Sequence, residues 1–369
     1  MDKDKLLYPL ALSMIPGIGS ITARKILTHV SDHEAIFRDK KLLVGKIPGL
    51  GEWHIRQITS SDVIERAERE IHYMIKNEIR ALYFEDQDYP RRLCQCNDAP
   101  VVLFVKGDVD LNEQKILSVV GTRNPTSYGT EICRKIISGL SAENQKIVIV
   151  SGLAYGIDIC AHKSALRYNQ PTVAVLGHGL DYLYPQSHRS VARKIIQQGA
   201  LITDFSHDEE PERNNFIKRN RIIAGISDAT IVVESAKKGG ALLTAQMANS
   251  YDRDVFTIPG RITDPMSAGC NELIKTHRAA MIESWEDIEY LLGWEKQERE
   301  LNIQKTLFVD LLEEEKNILD IISEMGEVPV DILCVKTGLP VNKISVLLLN
   351  LEFAGHVTCL PGNIYKIFR

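Results

Sequence analysis

Four glycine-rich stretches follow short β-branched runs in this chain: Gly121 to Gly129, Ser151 to Gly156, Gly177 to Asp181, and Glu234 to Gly240. Glycine lets a backbone come close to a ligand, and the start of a helix offers unpaired N–H donors with a partial positive charge. One such loop is ordinary turn chemistry. Four of them after successive strands, with Arg123, Lys237 and Lys238 set among them, suit a ligand carrying several phosphates. The candidate contacts in these loops are Arg123, Ser151, Gly152, Gly156, Lys237, Lys238 and Gly240. A fifth stretch, Asn214 to Arg221, places Phe216, Lys218 and Arg219 near a helix start. Cations track phosphates and an aromatic face stacks on a base, which suits a single strand of nucleic acid. One of Arg219 and Arg221 is expected instead to tie its helix to an acidic neighbour such as Asp204 or Glu234.

Chemistry of other kinds finds no support in the spacing. There is no Gly-x-Gly-x-x-Gly with an acidic residue about twenty positions on, and no Gly-x-x-x-x-Gly-Lys-Ser/Thr, so neither a dinucleotide cofactor nor a Walker-type ATPase is expected. Cys160 and His162 lie two apart on a helix and point away from each other, so they cannot form a nucleophile–base pair. Asp158 and His162 share a face, but Asp158 reads as the N-cap of that helix. The loop-end carboxylates Asp158, Asp181, Asp204 and Asp228 come one per loop, without the clustering of a two-metal nuclease. Cys94 and Cys96 are the only close cysteine pair, and nothing completes a zinc site around them. No catalytic residue, cofactor or metal is expected.

The elements that must carry these loops can be read from the pattern. Residues 80–290 alternate apolar strands (Ile116 to Val120, Ile147 to Val150, Thr172 to Leu176, Ala200 to Thr203, Thr230 to Val233, Val255 to Ile258) with stretches of helical spacing. That pattern predicts an α/β domain: a Rossmann-like, doubly wound, mostly parallel sheet, with Ala81 to Phe84 and Val101 to Val105 as edge strands or a lead-in. In such a sheet, ligands sit outside the carboxyl ends of the strands, where the glycine-rich loops fall. Residues 1–75 read as short helices with a near-repeat, Ile15 to Gly19 and Ile47 to Gly51, resembling a helix-hairpin-helix/SAM-like module. Their net charge of only +1 leaves open a helical module that docks on protein. Residues 291–310 read as a linker. Residues 311–369 read as three helices and a hairpin around Pro361 to Asn363, a winged helix whose third helix, Val341 to Glu352, carries a single lysine. With a net charge of −4 over residues 310–369, a protein-contact or regulatory role fits it better than major-groove reading.

The whole 369-residue chain carries a net charge of −5 with 44% hydrophobic residues, so it holds sizeable cores and any polyanion site on it must be local. No apolar run approaches the roughly 20 residues needed to cross a bilayer, the first residues lack a signal-peptide layout, and seven cysteines fit a reducing compartment. A cytoplasmic protein without membrane contact is expected.

The run from Gly121 to Ala280 resembles the DNA-processing protein A family (DprA, also called Smf), through motifs in order: Gly-Thr-Arg-x-Pro-Thr-x-Tyr-Gly from Gly121, Ser-Gly-Leu-Ala-x-Gly-Ile-Asp-x-x-Ala-His from Ser151, Gly-x-Gly-Leu-Asp-x-x-Tyr-Pro from Gly177, Phe-x-x-Arg-Asn-Arg-Ile-Ile-Ala-Gly from Phe216, and Pro-Gly-Arg from Pro259 with Gly269 and Asn271. The resemblance implies a bacterial protein of natural transformation that binds incoming single-stranded DNA, loads the RecA recombinase on it, forms a homodimer and uses no cofactor. By motif, Arg123 falls at the family's pocket arginine, Phe216 to Arg219 at its aromatic and basic contacts, and Lys238 at the lysine before a glycine-rich turn. The chain departs from the pattern at Thr122, Gly239, His188 and Lys218, and at His277 and Arg278, where Gly-Ala is typical and where no dimer or RecA contact is therefore assigned. Two other readings compete. One is a nucleotide hydrolase of the phosphoribohydrolase type, weakened because Lys238 to Thr244 lacks the glutamate spacing of those enzymes. The other is a regulatory scaffold whose winged helix binds duplex DNA.

Overall fold

The computed structural model describes residues 3–38, 52–58, 62–142, 146–294, 312–360 and 362–367. The chain divides into two compact units, Met1–Trp294 and Glu295–Arg369.

The first unit opens with helices α1 (Lys3–Ser13), α2 (Ser20–His29), α3 (His33–Arg38), α4 (Glu52–Ile58) and α5 (Asp62–Lys76). Then come β1 (Arg80–Tyr83), the short α6 (Arg91–Cys94), β2 (Val102–Gly107), β3 (Ile116–Val120), α7 (Ser127–Ala142), β4 (Val148–Ser151), α8 (Ile157–Arg167) and β5 (Thr172–Val175). The rest is α9 (Arg189–Gln198), β6 (Ala200–Thr203), α10 (Arg213–Ile226), β7 (Ala229–Val232), α11 (Gly240–Ser250), β8 (Asp254–Thr257), α12 (Ala268–Lys275), β9 (Ala280–Met281) and α13 (Trp285–Leu292).

The nine strands form one sheet in the order β1-β2-β6-β5-β4-β3-β7-β8-β9. From β6 to β9 every pairing is parallel, while β2 lies antiparallel to both β1 and β6. The two segments read as a lead-in are thus a hairpin-like addition to one edge. The central strands are apolar on both sides because both sides are covered. Ile116 and Val120 of β3 join the core shared with α10 and α11, while Leu117 and Val119 join the core under α7 and α8. Alternate residues of a strand point to opposite faces, so a strand packed on both reads as a continuous apolar run.

The N-terminal helices share the first of these cores with the sheet: Leu10, Ile26, Ile58 and Met74 belong to the same buried cluster as Val120 and Val175. Side-chain bonds add to this. The buried Glu70 of α5 accepts the backbone N–H of His207 at 3.0 Å and meets His207 Nδ1 at 2.6 Å. Tyr73 stacks on the His207 ring at 4.0 Å and donates its hydroxyl to Asp181 at 2.5 Å. The helices read from sequence as a separate segment are therefore built into the sheet unit, because the buried face of α5 packs on the loop after β6. Of the near-repeat, Ile15 to Gly19 forms the turn between α1 and α2, with Gly17 at φ +80°; Ile47 to Gly51 falls outside the described residues.

Of the stretch read as a linker, residues 295–310 lie outside the described residues, and residues 291–294 finish the sheet unit. Helix α13 runs to Leu292 and is capped by Gly293 at φ +61°, with Trp294 N–H donating back to Glu289 at 2.7 Å.

The second unit contains α14 (Glu313–Met325), β10 (Glu327–Pro329), α15 (Val330–Thr337), α16 (Val341–Phe353), β11 (Val357–Leu360) and β12 (Ile364–Ile367), with sheet order β10-β12-β11. Ile318, Ile322, Leu333, Ile344, Leu348 and Leu351 give this winged helix a core of its own. The sequence shows the hairpin but not β10, whose three residues are too few to display an alternation. No single helix among the described residues is long and apolar enough to cross a membrane.

Candidate nucleic-acid interface

The order of strands around β3 creates the site. The chain proceeds from β3 outward through β4, β5 and β6, then crosses back to lay β7 on the other side of β3, so connections diverge between β3 and β7. A crevice opens outside the carboxyl ends of two strands whose connections part in this way. The loops after β3, β4 and β7 meet there and lock together. Thr122 N–H donates to the Glu234 carbonyl at 2.7 Å, and Ile157 N–H donates to the Thr122 carbonyl at 3.1 Å. The buried Glu234 carboxylate accepts the backbone N–H of Thr126 at 2.9 Å and its hydroxyl at 2.5 Å. Two glycines make this closeness possible. A Cβ on Gly121 would lie 2.5 Å from Ile157 Cγ1, and Gly156 holds φ +82° where a Cβ would strike the Thr122 carbonyl. Arg123 is left exposed at the tip of the first loop.

Across the crevice, Lys237 and Lys238 are exposed on the loop after β7, ahead of the N-terminus of α11. Among the described residues neither they nor Arg123 makes an ion pair with a carboxylate. Gly239 packs against Ser235, but a Cβ on the exposed Gly240 would meet nothing within 4 Å. No neighbour in the chain requires glycine there. Its absent side chain leaves the first N–H groups of α11 open to an approaching anion.

Other residues named from sequence sit behind this rim. Ser151 is fully buried and donates its hydroxyl to the Val119 carbonyl at 2.6 Å. Arg219 is 4% exposed; its guanidinium donates to the Gly152 carbonyl at 2.8 Å, to the Val175 carbonyl, and to Asn220 Oδ1 at 3.2 Å. The carboxyl of Asp158 also lies beneath, accepting the Gly152 N–H at 3.2 Å. Burial pushes the Asp158 pKa up, opposed by the Arg219 charge and by hydrogen bonds from Ala154, Gly152 and Ser151. Burial likewise pulls Arg219 down to about 10, with Asp158 holding its charge in place. Three sequence expectations are corrected here. Ser151 and Arg219 brace the Gly152 loop from below instead of facing a ligand. Asp158 does not cap α8: Gly156 occupies that position, and the carboxylate turns back to the preceding loop. The tie to an acidic neighbour expected of one arginine is made by Arg221, which pairs with Asp204, whereas Arg219 is held by carbonyls and Asn220.

The Phe216 segment splits in the same way. Phe216 is half-buried against Gly177, with the Tyr184 ring 5.6 Å from its own, so it belongs to the rim. Lys218, two positions on and therefore on another side of α10, lines a 670 Å³ cavity shared with Ser13, Gly19, Ser20 and Arg66 of the N-terminal helices. The structure does not bring Lys218 beside Phe216.

The titratable groups near the rim are structural. His162 is fully buried with Nδ1 2.7 Å from the Thr172 hydroxyl, and burial pulls its pKa down to about 3. Glu70, His207 and Asp208 lie close enough to hold a metal ion, and in this structure the backbone N–H and ring Nδ1 of His207 are both hydrogen-bonded to Glu70. The sequence reading missed the surface beside Arg123. Arg134 on α7 and Lys163 and Arg167 on α8 line a 790 Å³ groove that begins at the rim. Their i, i+4 spacing on α8 was the available signal.

Comparison with known proteins decides the family. The model described as DNA recombination-mediator protein A matches residues 80–293, and the DprA winged helix domain matches residues 309–363. The chain belongs to the DNA recombination-mediator protein A family. Among DprA/Smf relatives, Protein Smf of Escherichia coli (strain K12) is 35% identical over 291 residues, which covers 77% of this chain and 76% of that protein. The DNA processing protein DprA of Streptococcus pneumoniae is 40% identical over 203 residues, 55% of this chain and 71% of the relative. The X-ray structure of the S. pneumoniae protein superposes with a TM-score of 0.62 at 31% identity, covering 79% of this chain and 97% of that one. The Helicobacter pylori DNA processing protein A, described for its single-stranded DNA binding mode, superposes with a TM-score of 0.53 at 28% identity, covering 59% and 96%.

Proposed function

We propose that this chain is a single-stranded-DNA-binding recombination mediator that grips the sugar–phosphate backbone along the carboxyl-end rim of its sheet. One observation carries the reading: Arg123, Lys237 and Lys238 stand without carboxylate partners among the described residues, on either side of the crevice where connections diverge, beside the open start of α11. Fixed cations and main-chain amides suit phosphate oxygens, and Phe216 with Tyr184 offers ring faces for a splayed base. Gly152 and Gly156 let the rim loops close on Arg219 and on Thr122, with Ser151 and Arg219 as braces.

In this reading nothing is chemically converted. The chain covers incoming single-stranded DNA in the cytoplasm during natural transformation, loads the RecA recombinase onto it, and acts as a homodimer. Support for RecA, for the dimer and for transformation comes from family membership and the shared motifs; support for the strand comes also from the H. pylori relative.

Anisotropy titration with single-stranded and duplex DNA at several salt concentrations tests it. Single strands are expected to bind more tightly, with log Kd rising with log salt by about 0.7 per phosphate held. Arg123→Ala is expected to weaken binding to all sequences alike and to lower that slope by about one contact. Preference for duplex, or wild-type binding by both Arg123→Ala and Lys238→Ala, would overturn the reading.

A further inference from the structure

The groove between α7 and α8 has the composition of a strand path and, apart from Arg123, is not used by the rim. It opens at Arg123 and Tyr155, then follows the outer side of α8 past Lys163 and Arg167, with Arg134 facing them from α7. Four cations line its 790 Å³, and no carboxylate does. Some cations elsewhere have an acidic partner close by: Lys135, one position from Arg134, pairs with Glu131 at 2.7 Å, Arg92 pairs with Asp228 at 2.6 Å, and Arg221 pairs with Asp204. Arg123, Arg134, Lys163 and Arg167 make no ion pair with a carboxylate among the described residues, and Arg134 lies against the Cys160 thiol. Like charges gathered in one groove repel unless an anion sits between them. In a chain of net charge −5, such a concentration is a local feature of this groove.

The aromatic residues and the dimensions agree. Tyr155 is 47% exposed at the rim end, and Tyr168 closes the far end with the Arg167 guanidinium 5.8 Å from its ring. Rings between tracking cations are what an unpaired strand needs. Helix α8 has eleven residues, and at 1.5 Å per residue its side offers roughly 16 Å, enough for about two or three phosphates of an extended strand. Because Arg123 belongs to both rim and groove, the path between them is continuous.

We infer that the α7–α8 groove is a second binding segment for the same strand, which leaves the rim at Arg123 and is held by Arg134, Lys163 and Arg167. This rests on the reading of the rim as a single-strand site, and its test separates the two. A ladder of oligo-dT lengths is titrated onto the full chain, its K163A/R167A and Arg134→Ala variants, and Arg123→Ala. These side chains are exposed, and circular dichroism checks that each variant keeps its fold. For the wild type, affinity is expected to climb with length until both segments are filled. K163A/R167A should level off about two nucleotides earlier, with its salt slope lower by about 1.4, and Arg134→Ala should shift the same way by less. Arg123→Ala should weaken every length. A wild-type plateau and slope in K163A/R167A overturn the groove while leaving the rim standing. Failure of the wild type to bind any length overturns the rim and the groove with it, and wild-type behaviour by Arg123→Ala overturns the groove, whose path to the rim runs through that residue. Inorganic triphosphate is a further arm: if it displaces every oligonucleotide length equally from the wild type and not at all from K163A/R167A, the groove holds a small polyphosphate and the strand assignment is overturned.

Discussion

Arg219 and His162 owe their roles to burial. Arg219 sits in a run of basic residues, and a linear stretch of that kind cannot show which side chains turn inward when a helix is covered on more than one side. Ile222, Ile223, Ala224 and Ile226 of the same helix are buried, and Arg219 goes with them, exchanging a phosphate for two carbonyls and a nearby carboxylate. His162 is a titrating brace. Folded, its burial pulls the pKa to about 3 against an ordinary 6.5, so the native protein leaves it neutral while the unfolded chain takes up a proton below pH 6.5. The stability tied to this residue is complete above pH 6.5 and is lost as pH falls toward 3, at up to about 1.4 kcal/mol per pH unit. Denaturant unfolding at neutral pH and near pH 4.5 should show a steeper loss for the wild type than for His162→Gln. Equal losses in the two proteins would contradict the assignment.

Among the elements, two glycines of the rim loops serve opposite ends. Gly121 is glycine because Ile157 at the start of α8 lies where its Cβ would go, whereas Gly240 has open space around it. Gly121→Ala should therefore lower thermal stability, by about 1–3 kcal/mol as overpacking usually does. Gly240→Ala should melt like the wild type and bind single-stranded DNA more weakly. If Gly240→Ala leaves affinity untouched, the N-terminus of α11 is not an anion seat. The central strands were legible to within a residue or two because a strand covered on both faces is apolar throughout. The sides of α10 were less legible: Phe216 and Lys218 are neighbours in sequence, but a two-residue step on a helix turns them apart, so only Phe216 reaches the rim. Arg134 escaped notice because α7 and α8 are brought side by side by the sheet and not by sequence.

For the molecule as a whole, the two compact units predict separable behaviour. The winged helix has its own core, and its α16 leaves Val346, Leu349 and Phe353 exposed, a face poor in the charge that duplex phosphates demand. Ending the chain after Trp294 should preserve the melting transition of the sheet unit and single-strand affinity; loss of all DNA binding on that truncation would favour a winged-helix reader. The merging of the N-terminal helices with the sheet was not legible, because the amphipathic pattern of α5 tells that one face is covered and not by what. The sheet ends in β1, four residues long, on one side and β9, only two, on the other. Such brief margins give another folded copy little backbone to zip onto. Edge-to-edge pairing of this sheet between folded copies is therefore disfavoured, and with it open-ended ribbons built by adding strand to strand.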